Sequence, residues 1–116
     1  MSSSSAPTLH KFLVYAPDKT EEGTFEKRLS VRSKHLEAAH ERHISGVVKL
    51  GGAVLTPESI ESATAQKKMI GSAFVFEAKS LQEVEEMIKG DIYYTSGVWD
   101  PERLVILPFV NATPMA

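Results

Sequence analysis

The chain has 116 residues, 42% hydrophobic and 24% charged, which suits one soluble domain with a modest core. A net charge of −2 leaves no basic excess for neutralising phosphates, so nucleic acid is not an expected partner. The absence of cysteine excludes disulfides, thiol catalysis and cysteine-ligated zinc, and no apolar run approaches the ~20 residues that span a bilayer.

Residues 1–8 are Ser-rich and end in Pro7-Thr8, which predicts a disordered tail. They resemble neither a secretory signal nor an arginine-bearing presequence, so a cytoplasmic location is expected. The domain is expected over 9–110, with a C-terminal tail at 111–116. His10-Lys11-Phe12-Leu13-Val14-Tyr15 reads as a first strand, stopped by Ala16-Pro17-Asp18. The polar stretch 18–24, with Gly23, reads as a loop.

A helical pattern follows. Leu36, Ala39, His40, His43 and Ile44 share one face, Ser33 is a candidate N-cap and Gly46 a candidate stop. Thr24 is a candidate cap for an earlier turn holding Phe25 and Leu29, so 24–45 reads as one long helix or two short ones. Val47 to Leu55 reads as a strand with two interior glycines, Gly51 and Gly52, ended by Thr56-Pro57. Residues 57–68 form a polar insert with no turn signature. Ile70 to Glu77 reads as a buried strand. Ser80-Leu81-Gln82-Glu83 is a capping box opening a helix whose stripe is Leu81, Val84, Met87 and Ile88, with Gly90 as its stop. Asp100-Pro101 marks a turn between Val98-Trp99 and a last strand, Leu104 to Leu107, where Pro108 marks an end or an edge.

The order β-α-β-β-α-β is the ferredoxin-like arrangement, an α+β fold with a four-stranded antiparallel sheet and both helices on one face. The other face is left bare and apolar, which predicts a homodimer joined through it as a dimeric α+β barrel.

The candidate chemistry is a histidine and a carboxylate at element ends. His35 lies at the edge of the helical stripe, where an imidazole can face a cleft. Asp91 follows Gly90 at the end of the second helix. Imidazole titrates near neutral pH, and a neighbouring carboxylate can fix its tautomer. The plain alternatives are an exposed helix histidine and a turn aspartate. His40 and His43 sit inside the stripe at i, i+3 without the further ligands that a metal centre needs. Gly51 and Gly52 in a strand mark a bulge, a pocket wall or close packing. Arg32 suits an anionic substrate, or is simply solvated. Tyr15, Tyr93, Tyr94, Trp99 and Phe109 are pocket or core aromatics. No glycine-rich phosphate loop is present, so no nucleotide cofactor is expected.

Together these residues resemble the YCII-related (YciI-like) family over roughly 10–109. The resemblance is carried by Lys11 to Asp18, by Arg32-Ser33-Lys34-His35-Leu36, by Lys49 to Leu55, by Gly90-Asp91-Ile92-Tyr93 through Gly97-Val98-Trp99, and by Leu107-Pro108-Phe109. It implies a ferredoxin-like fold that dimerises as an α+β barrel. It also implies an active site built on a histidine and an aspartate, at His35 and Asp91 here, with dehydrochlorinase-type members in the family. The chain departs from the pattern at Ile92, where the family has proline, which predicts a looser turn after Asp91. The 57–68 insert also departs and is expected to cover or reshape the pocket. The expected function is a cofactor-free lyase or isomerase acting on a small metabolite. His35 is the acid or base, Asp91 orients it, and Arg32, Tyr15, Gly51, Gly52 and Tyr93 bind substrate. The alternatives are a non-catalytic small-molecule-binding protein and a dimeric accessory module.

Overall fold

The computed structural model describes residues 7–115. Residues 1–6 of the expected N-terminal tail and residue 116 of the C-terminal tail lie outside the described residues. In chain order the elements are β1 (His10–Pro17), α1 (Thr24–Ile44), β2 (Val48–Leu55), a 3-10 turn (Pro57–Ile60), β3 (Met69–Ala78), α2 (Leu81–Lys89), α3 (Ile92–Thr95) and β4 (Val105–Phe109). The strands form one sheet in the order β2-β3-β1-β4, with every neighbouring pair antiparallel. This is the expected α+β, ferredoxin-like arrangement with the short α3 added.

The two-residue period of a strand sorts β1 cleanly. Phe12, Val14 and Ala16 are buried on the helix side, while Leu13 and Tyr15 between them are exposed on the open face. Their β3 partners Phe76 and Phe74 are buried with them, joined by Val84 and Ile88 of α2 and by Tyr93, Val98 and Trp99. Each such apolar side chain contributes roughly 1.5–3 kcal/mol when fully buried.

The helix α1 is a single element. No proline or glycine interrupts Thr24–Ile44, so Ser33 is interior rather than a cap. The helix opens after Gly23 at φ +89°, a left-handed conformation that glycine adopts without strain. Its inward face also differs from the sequence expectation. Arg28 and His35 are buried, with Val31 half-buried between them, while Leu36, His40, His43 and Ile44 are exposed. His35 therefore sits in the middle of the buried face and not at its edge. The apolar stripe instead borders a cleft, because the inner face satisfies polar groups with specific partners.

Other elements follow local chemistry. Ser80 Oγ accepts from the Glu83 amide at 3.2 Å, and Glu83 Oε1 accepts from the Lys79 amide at 2.8 Å, a capping box closed one residue upstream of the cap. Pro108 lies within β4, which pairs only with β1 and so is an edge where a missing donor is tolerated. Residues 98–103 dock against the end of β1: Lys19 donates to the Val98 carbonyl and Asp100 to the Pro17 carbonyl, both at 2.8 Å. The 57–68 segment folds on itself around buried Ser59, whose Oγ accepts from the Lys68 amide at 3.0 Å.

Candidate active site

The helix α1 and the α2–α3 junction converge beneath the sheet. From α1 comes His35, well inside the continuous helix Thr24–Ile44 and therefore rigidly held. Asp91 stands at the junction of α2 and α3, where it is the N-cap of α3 and its Oδ1 accepts from the Tyr93 amide at 2.9 Å. That capping bond fixes the carboxylate with isoleucine at position 92.

The structure brings the two together across 56 residues of sequence. His35 Nδ1 donates to Asp91 Oδ1 at 2.9 Å and lies 3.0 Å from Oδ2. Both residues are buried, at 7% and 4% exposure. With Nδ1 committed to the carboxylate, Nε2 is left as the nitrogen available to a ligand. The Arg42 guanidinium stands 3.6 Å from Asp91 Oδ2 and sets a cation beside the carboxylate. The Tyr93 ring stacks on the imidazole with centroids 4.0 Å apart, and Trp99 meets it edge-on at 6.0 Å. Burial pushes the Tyr93 phenol above its ordinary range, partly opposed by the Arg28 guanidinium, so it remains protonated at neutral pH.

A second buried group braces this stack. The Arg28 guanidinium lies 4.4 Å over the Tyr93 ring, donates to the Gly71 carbonyl and to Ser72 Oγ at 2.8 Å each, and pairs with Asp18 at 3.3 Å. Ser72 Oγ also accepts from the Trp99 indole at 3.2 Å. Desolvation pushes Asp18 up to about 6 despite the opposing cations Arg28 and Arg103. Sequence reasoning missed Arg28, Asp18 and Ser72. The available signal was position: Arg28 precedes His35 by seven residues and so shares its helical face.

A cleft of about 580 Å³ opens between α1 and β2, lined by His35, Arg32, Tyr93, Phe74, Gly51 and Gly52 among others. Its size suits a small organic molecule. Gly51 pairs with Phe74 and faces the helices; a Cβ there would stand 3.0 Å from Phe74 Cδ1. Gly52 pairs with Ala73, so a side chain there would point to the open face, where it meets nothing within 4 Å. Tyr15 is a correction. It is 40% exposed on the open face and borders a different groove with Asp18 and Arg103, because its odd register position in β1 directs it away from the helices. The 57–68 segment contributes no residue to the His35 cleft, contrary to the expectation that it covers the pocket. Among the described residues, no group of three or more His, Asp or Glu side chains is placed to hold a metal ion. No helix among them is long and apolar enough to cross a membrane.

A family model for the YCII-related domain matches residues 10–109. The chain belongs to this family. Among YCII-related relatives, fusaric acid biosynthesis protein 2 of Gibberella moniliformis is 32% identical over 104 residues, covering 90% of this chain and 96% of the relative. Protein YciI of Escherichia coli is 31% identical over 98 residues, covering 84% and 94%. The YCII-related chain also shares its fold with a solved structure, the 5-chloro-2-hydroxyhydroquinone dehydrochlorinase of Burkholderia phenoliruptrix in complex with 2,5-dihydroxybenzoquinone. The TM-score is 0.69 at 22% identity, covering 88% of this chain and 95% of the other.

Proposed function

We infer that the protein is a cofactor-free lyase or isomerase that moves a proton on carbon in a small, enolisable metabolite. The observation that carries this reading is the buried pairing of His35 Nδ1 with the Asp91 carboxylate at 2.9 Å beside an open cleft. His35 Nε2 takes a proton from an acidic C–H, and Asp91 stabilises the imidazolium that forms. The electron pair left on carbon moves onto a neighbouring carbonyl oxygen as an enolate, which Arg32 faces from one helical turn away. Expulsion of a leaving group gives elimination; return of the proton at a different carbon gives isomerisation. Tyr93 and Phe74 supply apolar walls for a planar substrate, and Gly51 leaves room for it. The dehydrochlorinase named among the structural neighbours, with its hydroxylated quinone ligand, favours elimination on an oxygenated ring as the first chemistry to try.

The reading includes a homodimer in the cytoplasm. The exposed Leu13, Leu50, Val105, Leu107 and Phe109 spread over the sheet face away from the helices, and a second copy would cover them.

The test is turnover of a panel of halogenated hydroxyquinols and enolisable ring acids. His35→Ala is expected to lose about 10²–10⁴-fold in turnover, the usual contribution of a positioned acid–base group. Unchanged turnover removes His35 from the mechanism. Binding of panel members without conversion of any would make the protein a binding module instead.

A further inference from the structure

The same cleft continues past His35 toward the C-terminal end of α1, where His40 and His43 line it. The proton-transfer reading does not use this end. His43 Nδ1 donates to the Val48 carbonyl at 3.1 Å, which leaves its Nε2 as the ligand-facing nitrogen, as in His35. His40 makes no hydrogen bond among the described residues, so its ring is free to engage a ligand. His35 and His43 are eight residues apart on one helix, an axial rise of about 12 Å.

The charge around the cleft has one sign. Among the described residues no carboxylate borders it, whereas Arg28, Arg32 and Lys49 do. Arg28 is paired with Asp18, and the Lys49 ammonium turns away to Glu77 at 3.3 Å. Among the described residues Arg32 has no acidic partner, so its charge remains for a ligand, together with the His40 ring and His43 Nε2. The Gly51-Gly52 backbone lies on the facing wall, and the missing side chain of Gly51 leaves room on the helix side.

We propose that His40 and His43 form a second, acid-binding subsite, so that the substrate is two-headed: an enolisable ring at His35 and a carboxylate on a short chain about two helical turns away. This rests on the proton-transfer reading for the ring end only. A carboxylate at the far end accepts an N–H from His40 and, on binding together with one proton, shares that proton with His43 Nε2 in a charge-assisted hydrogen bond, which outweighs a neutral one by about twofold.

The test uses two probes with the same ring, hydroquinone and 3-(2,5-dihydroxyphenyl)propionate, in binding titrations with the full chain. The acid is expected to bind at least about tenfold tighter than hydroquinone, and to shift the imidazole nitrogen resonances of His40 and His43. His40→Gln, which breaks no internal hydrogen bond, and His43→Gln each reduce that advantage and leave hydroquinone binding unchanged. His35→Ala keeps the advantage. Equal affinity for the two probes, or an advantage that survives in both glutamine variants, overturns the subsite and leaves the His35 reading standing. A tail advantage that depends on Arg32 and not on the histidines likewise overturns it. Conversely, an advantage that needs His40 and His43, in a protein whose turnover ignores His35, upholds the subsite and removes the proton-transfer reading.

Discussion

Asp91→Asn separates the chemical role of this carboxylate from its structural one. Asparagine is as good an N-cap as aspartate, so its Oδ1 can still accept from the Tyr93 amide and hold α3. The other oxygen becomes an amide NH2 about 3.0 Å from His35 Nδ1 and 3.6 Å from the Arg42 guanidinium, donor against donor in both cases. The bond from His35 Nδ1 to Oδ1 loses its charge, and the new NH2 beside Nδ1 drives the imidazole toward the other tautomer. The stability cost is about 1.5–3 kcal/mol, the worth of a hydrogen bond to a charged group. The rate cost is larger: a loss of about 10²–10⁴-fold corresponds to roughly 3–5 kcal/mol of transition-state stabilisation. Urea denaturation, turnover on the compound that the wild type accepts, and nitrogen NMR of the His35 ring read the three quantities. A folded variant with wild-type turnover and an unchanged His35 tautomer would refute the orienting role.

Other perturbations follow from the same geometry. Asp18 has a folded-state value raised to about 6 from an ordinary 3.8, so the folded protein holds a proton there that the unfolded chain has released. Stability should therefore fall as pH rises from about 4 through 6, and Asp18→Asn should flatten that decline in urea midpoints measured across the range. Gly51→Ala sets a methyl 3.0 Å from Phe74 Cδ1 and should raise KM several-fold, whereas Gly52→Ala, with nothing within 4 Å, should leave it unchanged. Leu107→Glu on the open sheet face should give a monomer by sedimentation equilibrium where the wild type gives the proposed dimer; a dimer that persists in the variant would move the interface elsewhere, and a monomeric wild type would remove it.

The fold was legible because β1, β3 and α2 carry plain local signals. Alternation at Phe12, Val14 and Ala16 and the Ser80 capping box report on contacts made within a few residues. The inward face of α1 was not legible in the same way. Hydropathy points to Leu36, His40 and Ile44, but the buried positions are Arg28 and His35, whose burial is offset by partners just past β1, on β3 and at the α2–α3 junction. Such compensation depends on the tertiary fold and leaves no periodic trace. Asp91 looked like a turn residue, and it is one: it caps α3 while also holding His35, and only the second role depends on a distant helix. Tyr15 lies outside the His35 cleft for a simpler reason. Its register parity, visible once β1 is aligned with β3, sends it to the opposite face.

Solvent exchange measures proton transfer to carbon most directly. Enolisable hydroxyquinones, beginning with 2,5-dihydroxybenzoquinone, would be incubated with the protein in D2O and followed by proton NMR. The expected result is catalysed loss of a ring C–H signal in the wild type that slows by about 10²-fold or more in His35→Ala. Exchange that persists at the wild-type rate in His35→Ala, or that the wild type catalyses for no compound tested, would contradict proton transfer by His35.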